Sequence, residues 1–95
     1  MEAGWVLLMK SKKITIKNDA GLDIRPARII ANAAEQCTSR VELIAGNNTV
    51  NCRSILNILS VAIRKGAVVE LCCTGEREEQ DLEYMLRVIE DELIK

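Results

Sequence analysis

Val41-Glu-Leu-Ile-Ala-Gly-Asn-Asn-Thr-Val-Asn-Cys52 is the stretch on which the fold turns. Val41 and Leu43 alternate with Glu42, Gly46-Asn47-Asn48 supplies turn residues, and Val50 and Cys52 resume the alternation. Period-two patterning on both sides of a Gly/Asn turn predicts a β-hairpin. A hairpin joins antiparallel strands, so a purely parallel, doubly wound sheet is excluded.

Working outward, Ile14 and Ile16 alternate with Lys13, Thr15 and Lys17, which predicts a half-buried strand over 12–17. Asn18-Asp19-Ala20-Gly21 is a turn. From Asp23 to Gln36, Ile29, Ile30, Ala33 and Ala34 recur at helical spacing, and Pro26 fits a first helical turn. Ser54 opens a second helix to about Lys65, closed by Gly66. Ala67 to Cys73 reads as a strand. After Gly75, Leu82, Met85, Leu86, Ile89 and Leu93 form an amphipathic helix. The order is βαββαβα, an α+β arrangement with helices covering one face of the sheet. Residues 1–11 read as an N-terminal tail or extension, and 12–95 as a single domain. The apolar run Trp5 to Met9 is too short to span a membrane and lacks the flanks of a signal peptide.

Composition narrows the function. With 95 residues there is room for one small domain. A net charge of -1 gives no basic field for nucleic acid or anionic membrane. One Trp, one Tyr and no Phe leave little for base stacking. There is no histidine, hence no phosphohistidine, no His ligand and no His base. Cys37, Cys52, Cys72 and Cys73 lack CxxC spacing and read as small buried hydrophobes in a reducing cytosol, with 72 and 73 on opposite faces of a strand. No Gly-rich phosphate loop, metal spacing or nucleophile–base pair occurs, so the expectation is a non-enzyme without cofactor or metal.

Three segments carry a resemblance: Gly21-Leu-Asp-Ile-Arg-Pro-Ala27, Cys52 to Leu71 and Thr74 to Leu93. Together with the element order they resemble HPr, the small phosphocarrier of the bacterial sugar phosphotransferase system, over about residues 12–94. The resemblance implies an open-faced β-sandwich, a four-stranded antiparallel sheet with three helices on one side. It also implies a phosphoryl-accepting histidine where this chain has Asp23. A carboxylate cannot replace imidazole in that transfer, so the expectation is that this chain does not carry phosphate along that route.

Asp23 has three readings. It is a good N-cap, its oxygen accepting a first-turn N–H. It could mimic charge, with one negative charge against the about −1.5 to −2 of a phosphate. As an aspartyl-phosphate acceptor it would need Mg²⁺ held by neighbouring carboxylates, and only Asp19 is near in sequence. Arg25 and Arg28 are cations at an unfavourable helix end, which points to an anion or an acidic partner surface. Ser54 is an N-cap, and phosphate there would suit the helix start. By resemblance it is the serine that a dedicated ATP-dependent kinase modifies, and Ile55, Leu56 and Leu59 are the outward docking patch for partners.

A histidine-less chain that keeps this serine is similar in logic to the regulatory HPr paralogue of carbon catabolite repression. The partners implied are an HPr kinase-like enzyme and a transcriptional repressor, or phosphotransferase-system or metabolic proteins. The chain is expected in the cytoplasm as a monomer or homodimer. The alternative is a constitutive HPr-like binding module for a transporter or metabolic enzyme, with Asp23 as a fixed charge.

Overall fold

The computed structural model describes residues 9–93, with side chains described for 10–92. Residues 1–8 of the expected tail 1–11, and the Met9 and Leu93 side chains, lie outside the described residues, while residues 9–11 belong to the first strand. In chain order the elements are β1 (Met9–Thr15), α1 (Ile24–Glu35), β2 (Arg40–Ala45), β3 (Asn48–Asn51), α2 (Ile55–Ser60), β4 (Val68–Thr74) and α3 (Glu78–Leu93). The strands form one antiparallel sheet in the order β1-β4-β2-β3. The hairpin is β2–β3, with Leu43 opposite Val50 and Ala45 opposite Asn48.

The sheet has one buried face. Ile14, Val41, Leu43, Val50, Val69, Leu71 and Cys73 point to it, and Ala27, Ile30, Ala34, Ile58, Met85 and Ile89 of the helices close over it. The result is an open-faced α+β sandwich of four strands and three helices. With no Phe, this core is aliphatic, and each fully buried Ile or Leu contributes about 2–3 kcal/mol. Where α1 meets the core it presents alanines, which let the helix lie close to its neighbours. All four cysteines are buried free thiols. Cys73 lies opposite Val41 on the core face and Cys72 opposite Ser11 and Glu42 on the other.

Two elements differ from their sequence reading. β1 begins at Met9 and ends at Thr15, where the pattern gave 12–17. Residues 9–11 pair with 72–74, but Lys10, Ser11 and Lys12 are all exposed and carry no alternation to read. Ile16 continues the contact outside the ladder, donating to Ala67 O at 2.9 Å and accepting from Gly66 N at 2.7 Å. The second correction is α2, which stops at Ser60 rather than near Lys65. Ala62 has φ 55°, the left-handed region that ends a helix. Its carbonyls beyond that point serve other segments, with Leu22 N–H donating to Ile63 O at 2.9 Å.

That last bond ties the start of α1 to the chain leaving α2. Gly21 has φ +65°, and a Cβ there would stand 2.4 Å from Ile63 O. The loop leading into α1 therefore lies directly on the chain leaving α2, an approach only glycine permits. On the surface beside it, Lys65 Nζ meets Asp19 Oδ1 at 2.8 Å, and this pair lowers the Asp19 pKa and raises that of Lys65.

Candidate functional site

The site is built on the starts of α1 and α2. Asp23 occupies the N-cap position of α1 with extended backbone, φ −82° and ψ −164°. Its carbonyl accepts from Ala27 N–H at 3.0 Å, as an N-cap carbonyl should. Its carboxylate makes no capping bond, which corrects the expectation that an oxygen of this side chain accepts a first-turn N–H. A capping side chain uses the N–H of the second or third helical residue; here the third, Pro26, has none, so Arg25 N–H is the one donor left in capping range, and the Asp23 carboxylate does not take it. The Asp23 carboxylate is left exposed to solvent.

Around it lies a shallow cleft of about 270 Å³, lined by Asn18, Asp23, Arg25, Ile29 and Glu92 among others. The cleft brings Asp23 and Arg25 together, and Arg28, also exposed, is not part of its lining. Asn18 Nδ2 donates to Gly21 O, and Asn18 Oδ1 is buried without a hydrogen-bond partner. Among the described residues the one ion pair is Lys65–Asp19, so Arg25 shares the cleft with the Asp23 and Glu92 carboxylates without an ion pair to either.

Ser54 has the opposite arrangement. Its backbone is extended, φ −110° and ψ 109°, and its Oγ accepts from Asn57 N–H at 3.1 Å. Asn57 is the third residue of α2 and has the N–H that Pro26 lacks. Asn57 Oδ1 in turn accepts from Asn51 N–H at 2.8 Å, and Asn51 Oδ1 accepts from Arg53 N–H at 3.0 Å. The hydroxyl is half-buried. On α2, Ile58 is fully buried, Ile55 and Leu59 are half-buried against the core, and Leu56 is 80% exposed.

Sequence reasoning missed several residues. Ile24, directly after Asp23, is 55% exposed, an apolar side chain at the helix start that the sequence reading had not singled out. Glu92 reaches the cleft from the far end of α3, a neighbour that no local signal announces. Arg53 donates through Nη2 to Cys37 O at 2.5 Å and to Ser39 O at 3.1 Å, acceptors that only the fold brings near.

The thiols offer no chemistry here. Burial, with Asp81 nearby, pushes Cys37 up to about 11, burial pushes Cys73 up to about 12, and it raises Cys52 and Cys72 as well. Among the described residues no group of His, Cys, Asp and Glu side chains could hold a metal ion, and no helix is long and apolar enough to cross a membrane.

The chain was compared with known proteins. Residues 10–91 match the family model described as the PTS HPr component phosphorylation site. The HPr-like protein Crh of Bacillus subtilis is 32% identical over 85 residues, covering 90% of this chain and all of that protein. Among solved structures, the histidine-containing phosphocarrier protein of Mycoplasma superposes with a TM-score of 0.83 at 26% identity, covering 86% of this chain and 93% of its own. The crystal structure of Bacillus subtilis Crh, described as a catabolite repression protein and as a dimer with a swapped domain, matches with a TM-score of 0.69 at 31% identity, covering 88% and 97%.

Proposed function

The chain belongs to the HPr family, and from that premise we propose that it is a regulatory adaptor rather than a phosphohistidine carrier. One observation carries this reading: none of the 95 residues is histidine, and Asp23 stands in the family's motif where histidine would accept phosphate. An imidazole nitrogen takes and returns a phosphoryl group readily. A carboxylate forms a mixed anhydride whose chemistry calls for a bound divalent cation. Radiolabel passed onto this chain by the first enzyme of the phosphotransferase system would overturn the proposal.

The switch in this reading is Ser54, phosphorylated by an ATP-dependent, HPr kinase-like enzyme in the cytoplasm. Its support is position: a half-buried hydroxyl at a helix start, where added negative charge is tolerated, beside the 80% exposed Leu56. Leu56 with the half-buried Ile55 and Leu59 forms the docking patch, and Arg25 and Arg28 contact acidic groups of the partner. The partner is a protein, either a transcriptional repressor, in keeping with a relative described as a catabolite repression protein, or a phosphotransferase-system or metabolic protein; the description of that relative names no such partner. Leu56→Glu should abolish partner capture and leave melting unchanged within about 0.5 kcal/mol, as expected for a surface position. Unfolding of that variant would refute the patch.

The deciding experiment is intact mass after ATP and an HPr kinase, with Ser54→Ala as control. One added phosphate, absent in the variant, supports the switch. A second reading has its own observation, the exposed Asp23 carboxylate that caps nothing. In it the chain is a constitutive module with a fixed charge at the family's phosphorylation position, and Ser54→Ala binds the partner as well as the parent does.

A further inference from the structure

Arg53 precedes Ser54, but its guanidinium is committed elsewhere. Nη2 donates to the carbonyls of Cys37 and Ser39, which lie in the turn joining α1 to β2. This places a cation at the C-terminal end of α1, where the helix dipole favours it. Ser39 is held from the other side as well, its N–H donating to Asp81 Oδ2 at 2.9 Å. The Ser39 hydroxyl is buried and has no hydrogen-bond partner.

We propose that Arg53 is a two-position guanidinium that transmits the state of Ser54 to the α1–β2 turn. With Ser54 unmodified, Arg53 clamps the Cys37 and Ser39 carbonyls. With phosphate on Ser54, it moves to the phosphate and releases the turn. The inference deepens the Ser54 reading and rests on it.

The physical case is a competition between acceptors. A neutral carbonyl accepts a weaker bond than a phosphate dianion, and charge-assisted bonds are about twice as strong. The guanidinium fork matches phosphate oxygens bidentately, and a neighbouring residue is within reach of the arginine stem. The released carbonyls need donors, since a buried acceptor left unpaired is costly. The idle Ser39 hydroxyl supplies one in the same turn, and water can supply the other once the turn loosens. The turn therefore has two arrangements that the charge on Ser54 can choose between, and it lies at the opposite end of α1 from Asp23.

The test uses carbonyl ¹³C shifts of Cys37 and Ser39, read through the Thr38 and Arg40 amides, and hydrogen exchange of the Ser39 amide. Phosphoserine is placed at 54 during translation, so failure of the kinase bears on the proposed function alone. Phosphorylation should move both carbonyl resonances in the direction that Arg53→Ala moves them. It should speed Ser39 exchange about tenfold, and add nothing at these atoms in the Arg53→Ala background. Arg53→Lys, which keeps the charge and loses the fork, serves if the alanine variant fails to fold, and phosphate should then move the two carbonyls less than in the parent. Carbonyl shifts unchanged by phosphate overturn the proposal, as does a phosphate response that persists at full size without the arginine.

Discussion

At the start of α2, Ser54 Oγ takes the Asn57 N–H at 3.1 Å, while at the start of α1 Asp23 has a similar extended backbone and its carboxylate takes nothing. By propensity Asp and Ser are equally good caps. The difference lies three residues on, Asn57 in one helix and Pro26 in the other. A cap is a relation between an acceptor and a particular donor, so residue type alone does not make one. In this protein the side chain that caps is neutral, and the one left idle is charged. Ser54 contributes its side chain to the fold, whereas Asp23 presents its charge to solvent.

The comparison breaks most severely at Gly21, where the start of α1 is tied to the chain leaving α2. Gly21→Ala puts a Cβ 2.4 Å from the Ile63 carbonyl at φ +65°. The left-handed strain and the forced backbone shift should together cost about 3 kcal/mol. Urea denaturation should show a lower midpoint with an unchanged slope. An undisturbed midpoint would mean that the loop into α1 does not rest on the chain leaving α2.

Acid should act chiefly at Asp81, since the Asp19–Lys65 pair is exposed and screened by solvent. Burial raises the Asp81 pKa, but Ser39, whose N–H donates to Oδ2, and Arg77 nearby outweigh it and hold the carboxyl below its usual value. A depressed folded pKa gives stability that is complete above the unfolded value of about 4 and is lost as pH falls through the folded one. The loss should be felt at Ser39, which Arg53 connects to the Ser54 segment. Asp81→Asn should flatten the fall of melting temperature below pH 4. An equally steep fall would assign the acid sensitivity to other carboxylates.

Ser54→Ala should cost about 1 kcal/mol, measured by thermal melting, because it removes the acceptor from Asn57 N–H. The value matters for function too, since a control variant that is itself destabilised must be compared at matched folded fraction.

The legible parts of this protein are those where local pattern and local structure coincide. Val41 to Cys52 formed the predicted hairpin, and Ile24–Glu35 lies within the helix read from Ile29, Ile30, Ala33 and Ala34. β1 was misplaced at its beginning because an exposed edge strand rich in lysine has no apolar rhythm. The end of α2 was misplaced because Val61 and Ile63 continue the apolar spacing, whereas Ala62 takes a left-handed turn to deliver Ile63 O to Leu22. At the candidate site, Asp23 and Ser54 were singled out by the resemblance and by their places at helix starts. Pro26 showed in the sequence that one of the two donors available to an Asp23 cap is missing, but not that Arg25 N–H would also go unused. Arg53 and Glu92 were not legible, because their partners come from segments that only the sheet topology brings near.

The smallest effect is the sharpest test of the comparison. Asp23→Ala should change stability by less than about 0.5 kcal/mol, since it removes an exposed side chain that bonds to nothing. A null result alone is weak, so the argument needs the donor restored. Pro26→Ala returns an N–H to the third position of α1 and carries its own cost from a buried ring. A double-mutant cycle cancels that cost. In the Pro26→Ala background the same Asp23→Ala change should now cost about 1 kcal/mol, the ordinary worth of an aspartate cap. A coupling of that size would show that the proline keeps the carboxylate free. Zero coupling would mean that the carboxylate is held away from the helix by its cleft, and Glu92 and Arg25 would then be the neighbours that hold it.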